Sequence, residues 1–248
     1  MISKKFNCLF VHIPKTAGES IERYFMKLQN LTWNERSELL ISRNHDVDSG
    51  PPRLAHLMAS EYLNYGHVGE VEFRDFFKFA IVRNPWERLV SEFFFNHYGR
   101  YEFKVFIFDR FPTAIDDDYK TGSDRFRHII PQYDFLHDEE DRCLVDFIGR
   151  FESLGSDFER VCRRLNLPVK PLEKLNSFER LMVRRLHKSG KLKTGQKVQV
   201  EKPHYSQFYD DESREWVAEM YAKDIKTFNY QFERGARGTR PVVRVVRN

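Results

Sequence analysis

Two short stretches carry residue types suited to holding an anion. In Pro14-Lys15-Thr16-Ala17-Gly18-Glu19-Ser20, a lysine stands between a rigid proline and the start of a helical pattern. A helix N-terminus presents unpaired N–H groups and the positive end of its dipole, so it can cradle a phosphate. Gly18 would let the backbone approach closely, Thr16 and Ser20 add hydroxyls, and Lys15 adds a point charge. The spacing is not GxxxxGK[ST], and the competing reading is a turn with a solvent-exposed lysine. In the second stretch, Arg83 stands at a strand exit followed by Asn84-Pro85, where a guanidinium suits multidentate phosphate binding. Ser91 falls two turns into the next helix, but Asn84, Arg88 and Ser91 do not share one helix face. Trp86 reads as core or pocket wall, and Arg88 as a surface partner of Glu87 or Glu92, a pairing worth little energetically.

The elements that position these loops follow from hydrophobic spacing. Residues Phe6 to Ile13 read as a buried strand, with Ile21, Tyr24, Phe25 and Leu28 forming the stripe of the helix that follows. Phe76 to Val82 reads as a second strand, and Pro85 fits the first turn of a helix lined by Trp86, Leu89, Val90 and Phe93. Further helices are expected over His56 to Tyr65, from Leu154 to Leu165, and from an Asp210 or Asp211 cap through Phe228. Leu144 to Ile148 predicts a short strand. Residues Arg184 to Lys202 read as an exposed basic loop with room for a hairpin. Strand-to-helix units of this kind predict an α/β fold, one domain with a central parallel sheet flanked by helices. Ligands in such sheets sit beyond the carboxyl ends of the strands, where both loops emerge. The domain is placed at 1–233, with a basic tail at 234–248 that is either an edge strand or disordered.

Composition narrows the class. The chain has 248 residues, 15% aromatic, and a formal charge of only +4, which allows an anionic ligand without demanding one. A nucleic-acid reader would need a concentrated basic stripe or a readout motif, and neither is plain. Three scattered cysteines exclude a fully paired disulfide framework and point to buried thiols in a reducing compartment. No apolar run reaches membrane-span length, so the expectation is a cytoplasmic protein without stable membrane insertion.

Taken together, Val11-His12-Ile13-Pro14-Lys15-Thr16-Ala17-Gly18 and Val82-Arg83-Asn84-Pro85-Trp86-Glu87-Arg88-Leu89-Val90-Ser91 resemble the paired nucleotide-binding signatures of sulfotransferases. The likeness is to the branch of carbohydrate sulfotransferases and their bacterial relatives, and it spans about residues 6 to 232. It also covers Asp146 to Leu154, Leu175-Asn176-Ser177, and the segments Tyr209 to Glu212 and Tyr221 to Ile225. The resemblance implies the P-loop-like sulfotransferase fold and 3'-phosphoadenosine 5'-phosphosulfate (PAPS) as donor, leaving 3'-phosphoadenosine 5'-phosphate (PAP). Lys15 then matches the lysine at the 5'-phosphate and bridging oxygen. Thr16, Ala17, Gly18, Glu19 and Ser20 match the loop around the 5'-phosphosulfate, and Arg83 and Ser91 the pair at the 3'-phosphate. The basic segment Lys188 to Lys193 matches a loop that closes over the nucleotide. Glu19 departs from the usual Thr or Ser, so its side chain is expected to turn outward or cap the helix.

The resemblance further implies a histidine general base between the two motifs. His56 in Arg53-Leu54-Ala55-His56-Leu57 matches best, with His45, His67 and Glu61 as rivals and His12 read as structural. No metal ion is expected; His45, Asp46 and Asp48 form too loose a set. The acceptor is expected to be a carbohydrate hydroxyl, with a small-molecule alcohol or phenol as the alternative. Its cleft is sought among Tyr98, Arg100, Tyr101, Lys104, Arg125, Arg127, His128 and Tyr133. A nucleotide-dependent kinase and a noncatalytic anion- or nucleic-acid-binding protein are the competing classes. The deciding geometry is that Lys15 and Arg83 must open onto one pocket.

Overall fold

The apolar runs near positions 10 and 80 form strands because each is buried on both faces. The computed structural model describes residues 1–96, 98–190, 192, 197–235 and 243–246. Its central sheet has the spatial order β1 (Ile2–Ser3), β2 (Cys8–Val11), β3 (Phe77–Val82), β4 (Phe147–Arg150). Strands β2, β3 and β4 run parallel, with Phe10 opposite Phe79 and Ala80 opposite Ile148, while β1 is an antiparallel edge. Cys8, Phe10, Phe79 and Ile81 face one apolar cluster; Leu9, Val11, Ala80 and Val82 face another. Two covered faces explain why the strands read as continuous apolar runs.

Helices α1 (Gly18–Leu28) and α3 (Leu154–Arg164) set Ile21, Phe25, Phe158 and Val161 against the Phe10 and Phe79 face. Each such side chain contributes about 1.5–3 kcal/mol by leaving water. Helix α2 (Pro85–Phe95) begins with its proline in the first turn, and Asn84 caps it by accepting from the Trp86 and Glu87 amides. Trp86, Leu89, Val90 and Phe93 then anchor a third cluster that also holds Tyr221. The fold is therefore an α/β domain with a mixed, mostly parallel sheet flanked by helices.

Several elements differ from the sequence reading. In place of one helix over His56 to Tyr65, there is a 3-10 turn at Leu54–His56 and a single α-turn at Glu61–Asn64. The break is tertiary, because the Ala59 amide donates to the Phe135 carbonyl at 2.8 Å. Strand β4 starts at Phe147, later than Leu144, beside the Asp146 carboxylate that accepts the Lys78 amide. The basic stretch from Arg184 is not a loop at its start, since α4 (Phe178–Lys188) continues through it from a Ser177 cap. Past it, Lys197–Val200 pairs antiparallel with Val243–Val246 in a ribbon separate from the main sheet. Lys191 and Lys193 of the expected closing loop, and the tail positions 236–242 and 247–248, lie outside the described residues. The last helix is divided into α5 (Asp211–Met220) and α6 (Ala222–Thr227) at Tyr221, whose hydroxyl donates to the Ile129 carbonyl. Asp210 caps α5 through the Ser213 amide. Cys8 and Cys162 are buried and unpaired; Cys143 is exposed, against the expectation of buried thiols. No helix among the described residues is long and apolar enough to cross a membrane.

Candidate active site

The chain leaves β2 into a loop whose backbone is constrained on every side. Lys15 and Ala17 are left-handed, with φ of 72° and 73°, a conformation that costs a non-glycine residue roughly 1–2 kcal/mol. Hydrogen bonds hold the loop there. Thr16 donates its hydroxyl to the Ile13 carbonyl at 2.8 Å, Arg88 Nε donates to Pro14 at 3.0 Å, and Arg83 Nη1 donates to Lys15 at 3.0 Å. Arg88 is thus no surface partner. It is 2% exposed and also donates to the Ile130 and His128 carbonyls, so each of its three guanidinium nitrogens serves a different carbonyl. Gly18 has a different reason from the one anticipated: a Cβ there would lie 1.9 Å from the His12 ring. Glycine is required for the histidine to pack across the start of α1.

No side chain caps α1, so its first amides keep their capacity for an anion. Glu19 does not cap either; it accepts from Asn176 at 2.5 Å and faces Arg23 at 3.3 Å. Ser20 gives its hydroxyl to the Glu173 carbonyl, and the wholly buried Thr16 side chain turns away from the solvent side of the loop.

Lys15, Gly18, Ser20, Arg83, Ser91 and His56 line one cavity of about 1310 Å³. Small-molecule sites commonly span about 300–1,000 Å³, so there is room for a nucleotide and a second reactant. The two strand exits therefore do meet. The Lys15 ammonium lies 3.3 Å from the centroid of Phe95, and burial lowers its pKa to about 7. The Arg83 guanidinium stacks on Phe151 at 3.9 Å and reaches Glu87 at 3.0 Å, while its buried Nε has no hydrogen-bond partner. Against the penalty of burial, Arg83 and Lys202 bring the Glu87 carboxyl down to about 2.

Three buried histidines, each on a carboxylate, share a wall of this cavity. His12 Nδ1 lies 2.6 Å from Glu22, His56 Nδ1 2.5 Å from Asp124, and His128 Nδ1 2.8 Å from Glu92. The His12 and His56 rings are 4.6 Å apart, and the His56 and His128 rings 5.0 Å. Burial lowers the His56 pKa despite Asp124, whose own carboxyl is held down by the neighbouring His56, His128 and Arg53. A neutral His56 donates Nδ1–H to the acceptor-only carboxylate, which leaves the Nε2 lone pair free. The rivals are engaged elsewhere. His45 Nδ1 lies 2.7 Å from the Tyr119 carbonyl, His67 Nε2 2.9 Å from that of Ser49, and Glu61 holds Arg127 in a two-point pair. None of the three lines the cavity.

Asp124, His128 and Glu92 were not recognised as a group in the sequence. Asp124 sits in a two-residue hairpin strand paired with Asp117–Asp118, and 68 positions separate it from His56. Such a contact leaves no periodic signal. His56, Asp124 and His128 also place one potential ligand atom each within 4.8 Å of one another, a set that could hold a metal ion. The looser His45, Asp46 and Asp48 group does not gather; Asp46 caps a 3-10 turn. Of the residues proposed for an acceptor cleft, Arg125 and His128 line the cavity. Lys104 instead pairs with Asp210 and Glu212, and Tyr133 stacks on His137. Trp33, Arg36 and Arg43, from a segment the sequence reading left unassigned, also line the cavity, as does Arg53 of the His56 motif.

An uncharacterised protein of Archaeoglobus fulgidus is 28% identical over 111 residues, which cover 44% of this chain and 84% of that protein. No solved structure matches. The model of the sulfotransferase family matches residues 1–231, which takes in both loops, the histidine wall and every strand of the central sheet. On that match the chain belongs to the sulfotransferase family.

Proposed function

We propose that this protein transfers a sulfuryl group from PAPS to a carbohydrate hydroxyl, and that His56 is the general base. The observation that carries the reading is the convergence of Lys15, the uncapped start of α1, Arg83, Ser91 and His56 on one cavity. The unpartnered Nε of buried Arg83 supports an anionic guest, because a buried guanidinium N–H without an acceptor is costly. When bound, the donor supplies a sulfuryl group that is already activated.

The protein's part is to position and to move charge and protons. Arg83 and Ser91 hold the 3'-phosphate, and the α1 amides with Lys15 hold the 5' end. Lys15 neutralises charge that grows on the leaving phosphate, an interaction strengthened by its dry setting. His56 Nε2 accepts the acceptor hydroxyl proton, while Asp124 keeps the ring oriented through Nδ1. Arg53 reaches Asp124, the partner of His56, at 3.4 Å, and Arg43 and Arg125 line the same cavity, which favours an acidic sugar. This reaction requires no metal ion. Residues 1–233 form the catalytic domain in this reading, and the unpaired thiols favour a reducing, cytoplasmic setting.

Calorimetry with PAP against ATP tests the assignment. PAP is expected to bind preferentially, and Arg83→Ala is expected to remove the preference. Equal affinity for the two nucleotides, or none for either, overturns it. A labelled-donor screen across acidic glycans, neutral glycans and small alcohols then tests the acceptor.

A further inference from the structure

The three histidine–carboxylate pairs are not equivalent. His128 lies between two carboxylates, with Nδ1 2.8 Å from Glu92 and Nε2 3.5 Å from Asp124. An ionised carboxylate can only accept. If a neutral His128 gives its Nδ1–H to Glu92, its Nε2 lone pair faces the Asp124 oxygen, two acceptors opposed in a buried site. Arg53 Nε, 3.4 Å from the same oxygen, offsets part of its charge, and a proton on the ring or a metal ion would relieve the two opposed lone pairs. His56 Nδ1 occupies the other Asp124 oxygen at 2.5 Å. All three residues are less than a tenth exposed and line the cavity, which supplies an entry path and an open coordination position.

We propose that His56 Nδ1, the Asp124 carboxylate and His128 Nε2 form a binding site for a divalent zinc-type ion, and that its occupation silences the base. Two imidazoles and one carboxylate suit Zn²⁺ better than Mg²⁺ or Ca²⁺. Tetrahedral bonds of about 2.1 Å place ligand atoms about 3.4 Å apart. From a set within 4.8 Å, that needs the rings to close in and the His56–Asp124 contact to open, both within reach of side-chain torsions. Glu92 on His128 Nδ1 is the outer carboxylate that such histidine ligands commonly require. Coordination at His56 Nδ1 moves the ring proton to Nε2, the atom that must be bare to accept a proton from the acceptor. Zinc-bound and base-active states are therefore mutually exclusive. The silencing rests on the proposed function; the binding does not.

The test uses the full chain stripped with a chelator. Titration with Zn²⁺ by calorimetry is expected to show one ion per chain, and Co²⁺ to give the visible absorption of a four-coordinate nitrogen–oxygen site. Glu92→Gln is expected to weaken binding about 10- to 100-fold, and Asp124→Asn and His128→Gln, which remove ligands outright, are each expected to weaken it more. His45→Gln, away from the cavity, is expected to leave it unchanged. X-ray absorption on the zinc-loaded wild-type chain, with two imidazoles and one carboxylate expected, stands even if a variant fails to fold. No binding at one equivalent, sulfur ligation, or binding that survives both Asp124→Asn and His128→Gln overturns the proposal. PAP affinity measured on the same samples separates the two readings: zinc without PAP binding sinks the sulfotransferase assignment alone, and PAP without zinc binding sinks this site alone. Where both bind, zinc is expected to stop sulfuryl transfer reversibly, and transfer that continues at saturating zinc overturns the silencing.

Discussion

The two walls of the cavity are built in different ways. The wall with Lys15 and Arg83 comes from two contiguous strand–loop–helix units, each spelling its site within about ten residues. The wall with His56 comes mostly from short turns and a two-residue hairpin, joined by His12 just after β2 and Glu92 on α2, and is fastened by contacts such as His56 to Asp124 and Arg127 to Glu61. Rigid regular elements hold charge at a set place. The other wall depends on paired side chains, so its chemistry is more sensitive to single substitutions.

That contrast is best broken from the histidine side. His56→Ala is expected to lower kcat by about 10²–10⁴ while the PAP dissociation constant stays put, as steady-state kinetics and calorimetry would read. A parallel loss of nucleotide affinity would show that the two walls are not separable. Arg83→Ala comes next. Loss of a charge-assisted contact worth about 1.5–3 kcal/mol predicts roughly 10- to 100-fold weaker PAP binding, with ADP affinity changed far less.

The Lys15 wall should also carry its own pH signature. Its pKa is depressed to about 7 by burial, so the side chain is charged below that value and neutral above it. PAP affinity is then expected to fall by up to about tenfold per unit as pH rises past 7, with proton uptake on binding. Lys15→Arg, which stays charged, should flatten the profile. A smaller effect is expected at the rim. Trp33→Ala removes a ring that Arg23 and Arg36 approach to 5.3 and 4.6 Å, and should raise the acceptor KM a few-fold without moving kcat.

How far the sequence could be read follows the same division. Pro14 to Ser20 and Arg83 to Ser91 were legible because a helix stripe and a strand run frame each of them, and the central sheet with α1 and α2 followed directly. Helix α3 was legible for the same reason, through Phe158, Val161 and Cys162. His56 was singled out only through the family resemblance, and its partners Asp124, His128 and Glu92 were missed, since their meeting is a product of packing alone. Arg88 was misread because a helix-surface spacing says nothing of three carbonyls converging from other segments. The break at Tyr221 was missed because no proline or glycine marks it, and its hydroxyl contact with Ile129, 92 positions away, leaves no local signal.

Arg88 has one more implication. The same guanidinium grips the carbonyl before Lys15 and the carbonyl of His128, so it is a single rivet through both plates of the active cleft. A shortened side chain at that position should let donor grip and proton acceptance slacken in step. Because the rivet is out of reach of every reactant, that double defect would arise in a residue which touches neither.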